Sequence, residues 1–448
     1  MKWFVYNLLF AAVYPFLLPG FLLRMLRRGG YAARMGDRFA LYPADFPGAC
    51  ADDGDSPIWI HAVSVGEVQI AAQLMREWRK AEPGVRFCFS TTSSTGWKIA
   101  EKELAEPGSG PSASARDFLI YNPLDFPNFV KSALNRIRPR AIVLTESEIW
   151  PNFIMRAKKA GVPLFLVNAR ISDRSAPRYR LARWFFKDVF GSFTEIFAQS
   201  DLDAGRIRAA MRKEDAGKVS VTGSFKFDVA RRDGEKEAEL REWIGSYAKI
   251  LLGGSIWPGE DKVLLDIYRE ILKRIAAHPG ASEPILVLAP RHFEKADDVE
   301  ANIRAAGFGC VRRSRGDRRG ERSVFLCDTT GEMMGLFGIC DAAFVGKSLC
   351  AHGSQNMIEP CLCGKPTFVG PFTENFRPVM SDLLSSRAIV QVKDAAELGE
   401  KLLLHFTGGG DTELGERAYA AVMKRRGTTP RCVDAIRNAI EKVNHEEK

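Results

Sequence analysis

Short apolar runs alternate with stretches of helical spacing along most of this chain, and the series occurs twice. The first half offers IWIHAVS, RFCFSTT, AIVLTE, PLFLVNA and EIFAQS, and closes on VSVTGSFKFDVARR. Between them lie segments such as EVQIAAQLMREWRKA and DFPNFVKSALNRI, whose apolar residues fall three and four apart. The second half repeats the rhythm with KILLGGS, PILVLAP, RSVFLC, DAAFVG and PTFVG. Strands joined by helix-bearing crossovers run parallel, so the pattern predicts an α/β chain of doubly wound sheets. A length of 448 residues exceeds what one core accommodates. Two Rossmann-like domains are therefore expected, facing each other across a ligand-binding cleft. The charged stretch DGEKEAELREW reads as the crossover, which puts the domains at 31–232 and 233–448. PGSGPSASARD (107–117) and RRSRGDRRGERS (312–323) read as loops.

The first 30 residues stand apart. WFVYNLLFAAVYPFLLPGFLL runs from Trp3 to Leu23 without a charge, long enough as a helix to cross a bilayer. Pro15 and Pro19 would kink it, so a helix lying in the membrane plane is the alternative. Arg24, Arg27, Arg28, Arg34 and Arg38 follow, which predicts an N-terminal anchor with the body on the cytoplasmic side. Lys and Arg number 64 against 55 Asp and Glu, a balance of +9 that suits an anionic partner. No RNP, KH or zinc-finger signature points to nucleic acid. A basic, aromatic stretch, NARISDRSAPRYRLARWFFK (168–187), reads either as a solvated helix face or as a surface meeting anionic lipid. The nine cysteines include no CxxC pair, so they are expected as reduced, mostly buried thiols with no metal site.

Several motifs fall where the strands should end, on the ligand side of a doubly wound sheet. WIHAVSVGEV breaks at Gly66 and presents Glu67. Ser64 and Glu67 have the spacing of a capping box, and a carboxylate at a strand tip also suits a catalytic base. TESEIWPN sets Glu146 and Glu148 after another strand, and TGSFKFD brings Lys226 towards the domain junction. In the second half, LAPRH places Arg291 and His292 at a strand edge, and LLGGSIWPGED is a strand entering a Gly/Ser turn. FVGKSLCAHGSQNMIEPCLCGKP suggests a phosphate cradle, with the backbone N–H groups of Gly346, Ser348, Gly353 and Ser354 around the anion and Glu359 on the ribose.

WIHAVSVGEV, TESEIWPN, NARISDRS, TGSFKFD, APRH, TTGEMMGLFGICDAAFVGKSL, NMIEP and GPFTENF occur in one order. In these motifs the chain resembles the 3-deoxy-D-manno-octulosonic acid (Kdo) transferases along nearly its whole length. The resemblance implies a GT-B glycosyltransferase that moves Kdo from CMP-Kdo to a lipid A precursor of the lipid IVA type. That reaction belongs to lipopolysaccharide core biosynthesis, at the cytoplasmic face of the bacterial inner membrane. The resemblance makes Glu67 the general base, with Glu146 and Lys226 bordering the reacting centre. It assigns CMP to Pro290 and Arg291, to Thr330, Gly331 and Glu332, and to Asn356, Met357, Ile358 and Glu359. Lys347 departs from a second glycine usual in the family, Gln355 from a histidine, and Trp257 and Pro258 from a STHEGEE-type turn. Inverting transfer without metal or cofactor is expected, with Arg291, Lys226 and helix N-termini stabilising the departing charge. A GT-B enzyme using a UDP-sugar and a membrane-attached binding protein are the alternatives.

Overall fold

The computed structural model describes residues 2–28, 32–43, 56–105, 117–245, 249–277, 283–317 and 323–446. The chain divides into two compact units, residues 1–229 with 427–448, and residues 230–426. Most of the loop at 107–117, and positions 318–322 of the stretch at 312–323, lie outside the described residues.

The first unit opens with helix α1 (Lys2–Arg28). It continues through β1 (Ile58–His61), α2 (Val65–Ala81), β2 (Phe87–Thr91), α3 (Ser94–Ala105), β3 (Phe118–Tyr121), α4 (Pro127–Ile137) and β4 (Ala141–Thr145). Next come α5 (Pro151–Lys159), β5 (Leu164–Ala169), α6 (Ala176–Leu181), α7 (Arg183–Phe190) and β6 (Glu195–Ala198). The run ends with α8 (Asp201–Ala210), β7 (Val219–Val221) and α9 (Lys226–Val229). The seven strands are parallel in the order β3-β2-β1-β4-β5-β6-β7. β1, β2, β4 and β5 are buried along their whole length, because helices cover both faces of such a sheet. That double cover explains why these strands read as unbroken apolar runs.

The second unit comprises α10 (Gly234–Ile244), β8 (Ile250–Ile256), α11 (Glu260–Ala276), β9 (Ile285–Pro290), α12 (Ala296–Ala305), β10 (Gly309–Arg312) and β11 (Ser323–Leu326). It goes on with α13 (Met333–Ile339), β12 (Ala342–Val345), α14 (Ile358–Leu362), β13 (Thr367–Val369), α15 (Arg377–Ser385), β14 (Val390–Gln391), α16 (Ala395–Phe406) and α17 (Leu414–Arg425). Its strands are also parallel, in the order β10-β11-β9-β8-β12-β13-β14. In each sheet the chain builds on one side of its first strand, then crosses back to build on the other; in the second sheet β10 takes the edge before β11 fills in beside β9. The switch points are β1/β4 and β8/β12, where open α/β sheets leave a crevice at the strand C-termini.

The domain expectation needs one correction. The division falls between Val229 and Ala230, and helix α18 (Thr428–Glu446) returns to the first unit. Cys432, Val433, Ile436 and Ile440 of α18 enter the core beneath α2. Asp228 fixes the return by accepting from Gly427 N–H and Thr429 N–H, each at 2.7 Å. Local sequence pattern carries no trace of this contact, because the partners lie about two hundred positions apart.

The N-terminal expectation is also revised. α1 is one helix through Pro15 and Pro19. Among the described residues, no helix is long and apolar enough to cross a membrane. One face of α1 packs sideways on the first unit: Trp3 and Tyr6 meet Phe185, and Phe10 and Tyr14 meet Phe126. Phe4, Val5, Leu8, Leu9, Val13 and Phe16 on the other face are exposed. The basic stretch at 168–187 divides likewise. Phe185 is buried under α1, Arg183 donates to the carbonyl of Met211, and Leu181 and Trp184 stay exposed. The eight described cysteines are free, and Cys350 alone among them is exposed.

Candidate functional site

In the first unit, the sequence between β1 and α2 places Glu67 in the first turn of the helix. Ser64 is the N-cap, and its hydroxyl accepts from Glu67 N–H at 3.3 Å. The Glu67 carboxylate turns back and accepts from Val63 N–H at 3.0 Å and from Ser64 Oγ at 2.7 Å. Thr145 Oγ1, at the end of β4, shares its one proton between the His61 carbonyl at 3.0 Å and Glu67 at 3.4 Å, across the switch point. The capping geometry is therefore present. It does not use up the carboxylate, because two oxygens offer about four acceptor positions and three are taken. Gly66 is not needed for this turn: a Cβ there would meet nothing within 4 Å.

Glu146 follows β4 at φ 50°, and Asn168, the last residue but one of β5, has φ 52°. Two adjacent non-glycine residues in the left-handed region store strain of the kind found at functional sites. Asn168 joins two parts of the site. Its amide donates to Glu146 Oε1 at 3.2 Å, and its carbonyl accepts from Phe225 N–H, next to Lys226, at 3.0 Å. Burial raises the Glu146 carboxyl, with Lys226 and Arg170 opposing and Glu67 and Glu148 adding to the rise. Burial lowers the Lys226 ammonium, with Glu146 opposing. The structure thus brings Glu67, Glu146 and Lys226 into one electrostatic cluster.

Sequence reasoning missed Asn168 and His61 as site residues and read Arg170 only within a basic stretch, either a solvated helix face or a surface meeting anionic lipid. Arg170 Nη1 lies 3.8 Å from Glu146. His61 is fully buried at the tip of β1, with Nδ1 at 2.9 Å from Ser90 Oγ and Nε2 at 3.7 Å from Glu148. A polar residue near the end of an apolar strand was the available signal for both His61 and Asn168.

In the second unit, the expected phosphate cradle is already filled. Glu260, fully buried at the start of α11, accepts from the backbone N–H groups of Lys347, Ser348, Leu349 and Cys350 at 2.9, 3.1, 3.0 and 3.4 Å. It also accepts from Trp257 N–H at 2.8 Å. An internal carboxylate therefore takes the anion position, and it binds the turn after β12 to the turn after β8. Ser354 N–H and Gln355 N–H are spent on Lys347 and Gly346 carbonyls. Gly346 is required here, since a Cβ would sit 2.4 Å from the Ser255 carbonyl oxygen. What this turn offers a ligand is a side chain. Lys347, at φ 56°, holds its ammonium 4.6 Å over the Trp257 ring. The two departures from the family pattern thus touch each other.

The other donor-site expectations fall into two groups. Glu359 Oε1 accepts from Asn356 Nδ2 at 3.0 Å, and Asn356 Oδ1 accepts from Ile358 N–H at 3.1 Å. Burial pushes the Glu359 carboxyl up to about 7, against the pull of Asn356 and of the Arg291 guanidinium. Arg291 is exposed beyond Pro290, with its N–H on the Ile256 carbonyl at 3.0 Å. The Met357 and Ile358 side chains are fully buried, which leaves only their backbone for a ligand. Glu332 forms the second group. Burial raises its carboxyl, and the Thr329 hydroxyl, Arg313 and the Cys327 thiol outweigh that and hold it below its usual value. Thr330 and Gly331 are exposed beside it, Gly331 at φ 85°. Among the described residues no group of three or more His, Cys, Asp or Glu side chains is placed to hold a metal ion.

The two-unit α/β fold is shared with a solved glycosyltransferase from Rickettsia africae. The TM-score is 0.56 and the identity 12%, over 87% of this chain and 99% of that one. Fold and switch points together define a doubly wound α/β protein of two units with a carboxylate at each sheet crevice. Residues 33–229 match the family model of 3-deoxy-D-manno-octulosonic-acid transferase. The chain is 33% identical to the 3-deoxy-D-manno-octulosonic acid transferase of Bordetella pertussis, over 96% of this chain and 98% of that protein. It is 29% identical to that of Haemophilus influenzae, over 98% and 99%. The chain belongs to the Kdo transferase family.

Proposed function

We propose that the protein transfers Kdo from CMP-Kdo to a lipid A precursor, with Glu67 as general base and inversion at the anomeric carbon. The observation that carries this is the Glu67 carboxylate, fixed across β1 and β4 by three donors and keeping one acceptor position beside the Glu146–Lys226 pair. An acceptor hydroxyl gives its proton to Glu67 while its oxygen bonds the anomeric carbon. The bond from that carbon to the phosphate oxygen breaks, and CMP leaves with the electron pair. Cationic groups suited to a departing phosphate are available within each unit, Arg291 and Lys347 in the second and Lys226 in the first. Glu359 and Asn356 suit the ribose hydroxyls of the nucleotide. The transfer needs no metal in this reading. Incubation of the purified protein with CMP-Kdo and a tetraacylated lipid A precursor should yield a product heavier by one or more Kdo residues in mass spectrometry. Turnover of a UDP-sugar instead, with CMP-Kdo untouched, would overturn the donor assignment.

The acceptor chemistry suits a protein seated on the cytoplasmic face of the inner membrane. Support comes from the exposed apolar face of α1, with Leu181 and Trp184 exposed on α6 and α7. A helix held from Trp3 to Tyr14 by aromatic contacts fits an in-plane seat, with one face towards lipid.

A further inference from the structure

Helix α5 starts at Pro151 without a side-chain cap from its own N-cap residue, Trp150. Its first N–H groups are satisfied from another part of the chain. Asp125, in the turn between β3 and α4, accepts from Asn152 N–H at 3.1 Å and from Phe153 N–H at 2.7 Å. The Asp125 carboxylate is almost fully buried, and it also accepts from the Tyr6 hydroxyl of α1 at 3.2 Å. The Asn152 side chain bridges the Asp125 carbonyl and Asn7 Oδ1, the latter at 2.8 Å. α1 is thus hydrogen-bonded to the first turn of the helix that follows the loop at 146–150.

That loop carries Glu146 in its strained conformation, Glu148, and Trp150, whose Nε1 donates to Glu148 at 2.8 Å. A borrowed cap fixes the position of a helix start, and the residues just before that start move with it. We infer that Asp125 is a positioning residue for the carboxylate loop, held in place by α1 through Tyr6 and Asn7. The N-terminal helix is then part of the site's scaffold, whatever it does at a lipid surface. The inference rests on the reading of Glu67, Glu146 and Lys226 as the reacting centre.

The test is steady-state transfer by the full chain with acceptor dispersed in detergent, so that membrane attachment is not needed. Each variant is assayed well below its melting temperature. Asp125→Ala should lower kcat by about 10–100-fold, the scale of a misplacement near 1 Å, with KM for CMP-Kdo within about twofold of wild type. Tyr6→Phe removes one hydroxyl and leaves the rings of α1 docked. It should lower kcat about 3–10-fold, with vesicle binding and melting temperature unchanged. Asp125→Asn, which keeps the shape and one acceptor oxygen, should fall between Asp125→Ala and wild type. Wild-type kcat in both Tyr6→Phe and Asp125→Ala would overturn the inference, as would a loss confined to the KM for CMP-Kdo. Glu67→Gln is run in parallel. If it is inactive while Asp125→Ala is unimpaired, the positioning role alone fails. If Glu67→Gln transfers at the wild-type rate, the reacting centre was misread and the positioning role falls with it.

Discussion

Glu67 and Glu260 occupy equivalent places: each is a carboxylate in the first turn of the helix after the first strand of its sheet, at the switch point. What surrounds them separates a candidate base from a strut. Two hydroxyls and one N–H hold Glu67, which keeps 8% exposure, whereas five backbone N–H groups saturate Glu260, which has none. Glu67→Gln keeps the cap and loses the proton acceptor. Turnover in the Kdo transfer assay should fall by roughly 10²–10⁴ while the melting temperature holds. Glu260→Ala orphans buried donors in two turns and should destabilise the protein by at least about 3 kcal/mol in denaturant unfolding. Glu359 gives a pH signature. Burial raises its carboxyl from 4.5 to about 7, so the folded unit keeps a proton that the unfolded chain releases. This contribution is complete below about pH 4.5 and is lost as pH rises through about 7. Wild type should therefore lose stability relative to Glu359→Gln between pH 5 and pH 8, read as the difference in unfolding midpoints.

At the scale of elements, strand legibility followed position in the sheet. The strands buried on both faces stood out as apolar runs. The three not read from the sequence, β3, β10 and β14, are all edge strands, although β3 (Phe118–Tyr121) is itself a short apolar run. β10 and β14 are only half-buried, and an edge strand packs on fewer neighbours, so its sequence is freer to be polar. α18 is the opposite case, legible as a helix but not as a member of the first unit. Its Cys432, Val433, Ile436 and Ile440 are almost fully buried. Removing residues 427–448 should cost on the order of 6–12 kcal/mol at about 1.5–3 kcal/mol per buried side chain. That equals the stability of an ordinary domain, so the truncated protein should be insoluble on expression or unfolded by circular dichroism.

At the scale of the molecule, the strand order of both sheets reverses direction at the first strand, but the second sheet inserts β11 between β9 and the edge strand β10, and the two switch points are closed differently. The proposed membrane seat also belongs to this scale, since the exposed apolar surface draws on α1, α6 and α7 together. Phe4, Leu8 and Phe16 are exposed by 71%, 59% and 85%. Replacing all three with serine should abolish flotation with anionic vesicles and leave transfer to detergent-dispersed acceptor near wild type. Undiminished flotation at high salt would move attachment elsewhere on the surface.

Periodicity by itself determined the α/β class, the parallel sheets and the two-unit plan, because strand and helix repeats are local properties of a chain. The motifs likewise placed Glu67, Glu146, Lys226, Arg291 and Glu359 in the segments that follow strands, since doubly wound sheets expose functional groups on that side. Only the tertiary structure decided the rest. Glu260 fills the turn that resembled a phosphate cradle, and that hydrogen bonding joins residues some ninety positions apart. Asp125 caps α5 from a turn before α4, α18 crosses back to the first unit, and α1 lies against the fold instead of standing free of it. In each case two local patterns were correct, and their meeting was fixed by burial and by hydrogen-bond satisfaction, which no window of sequence records.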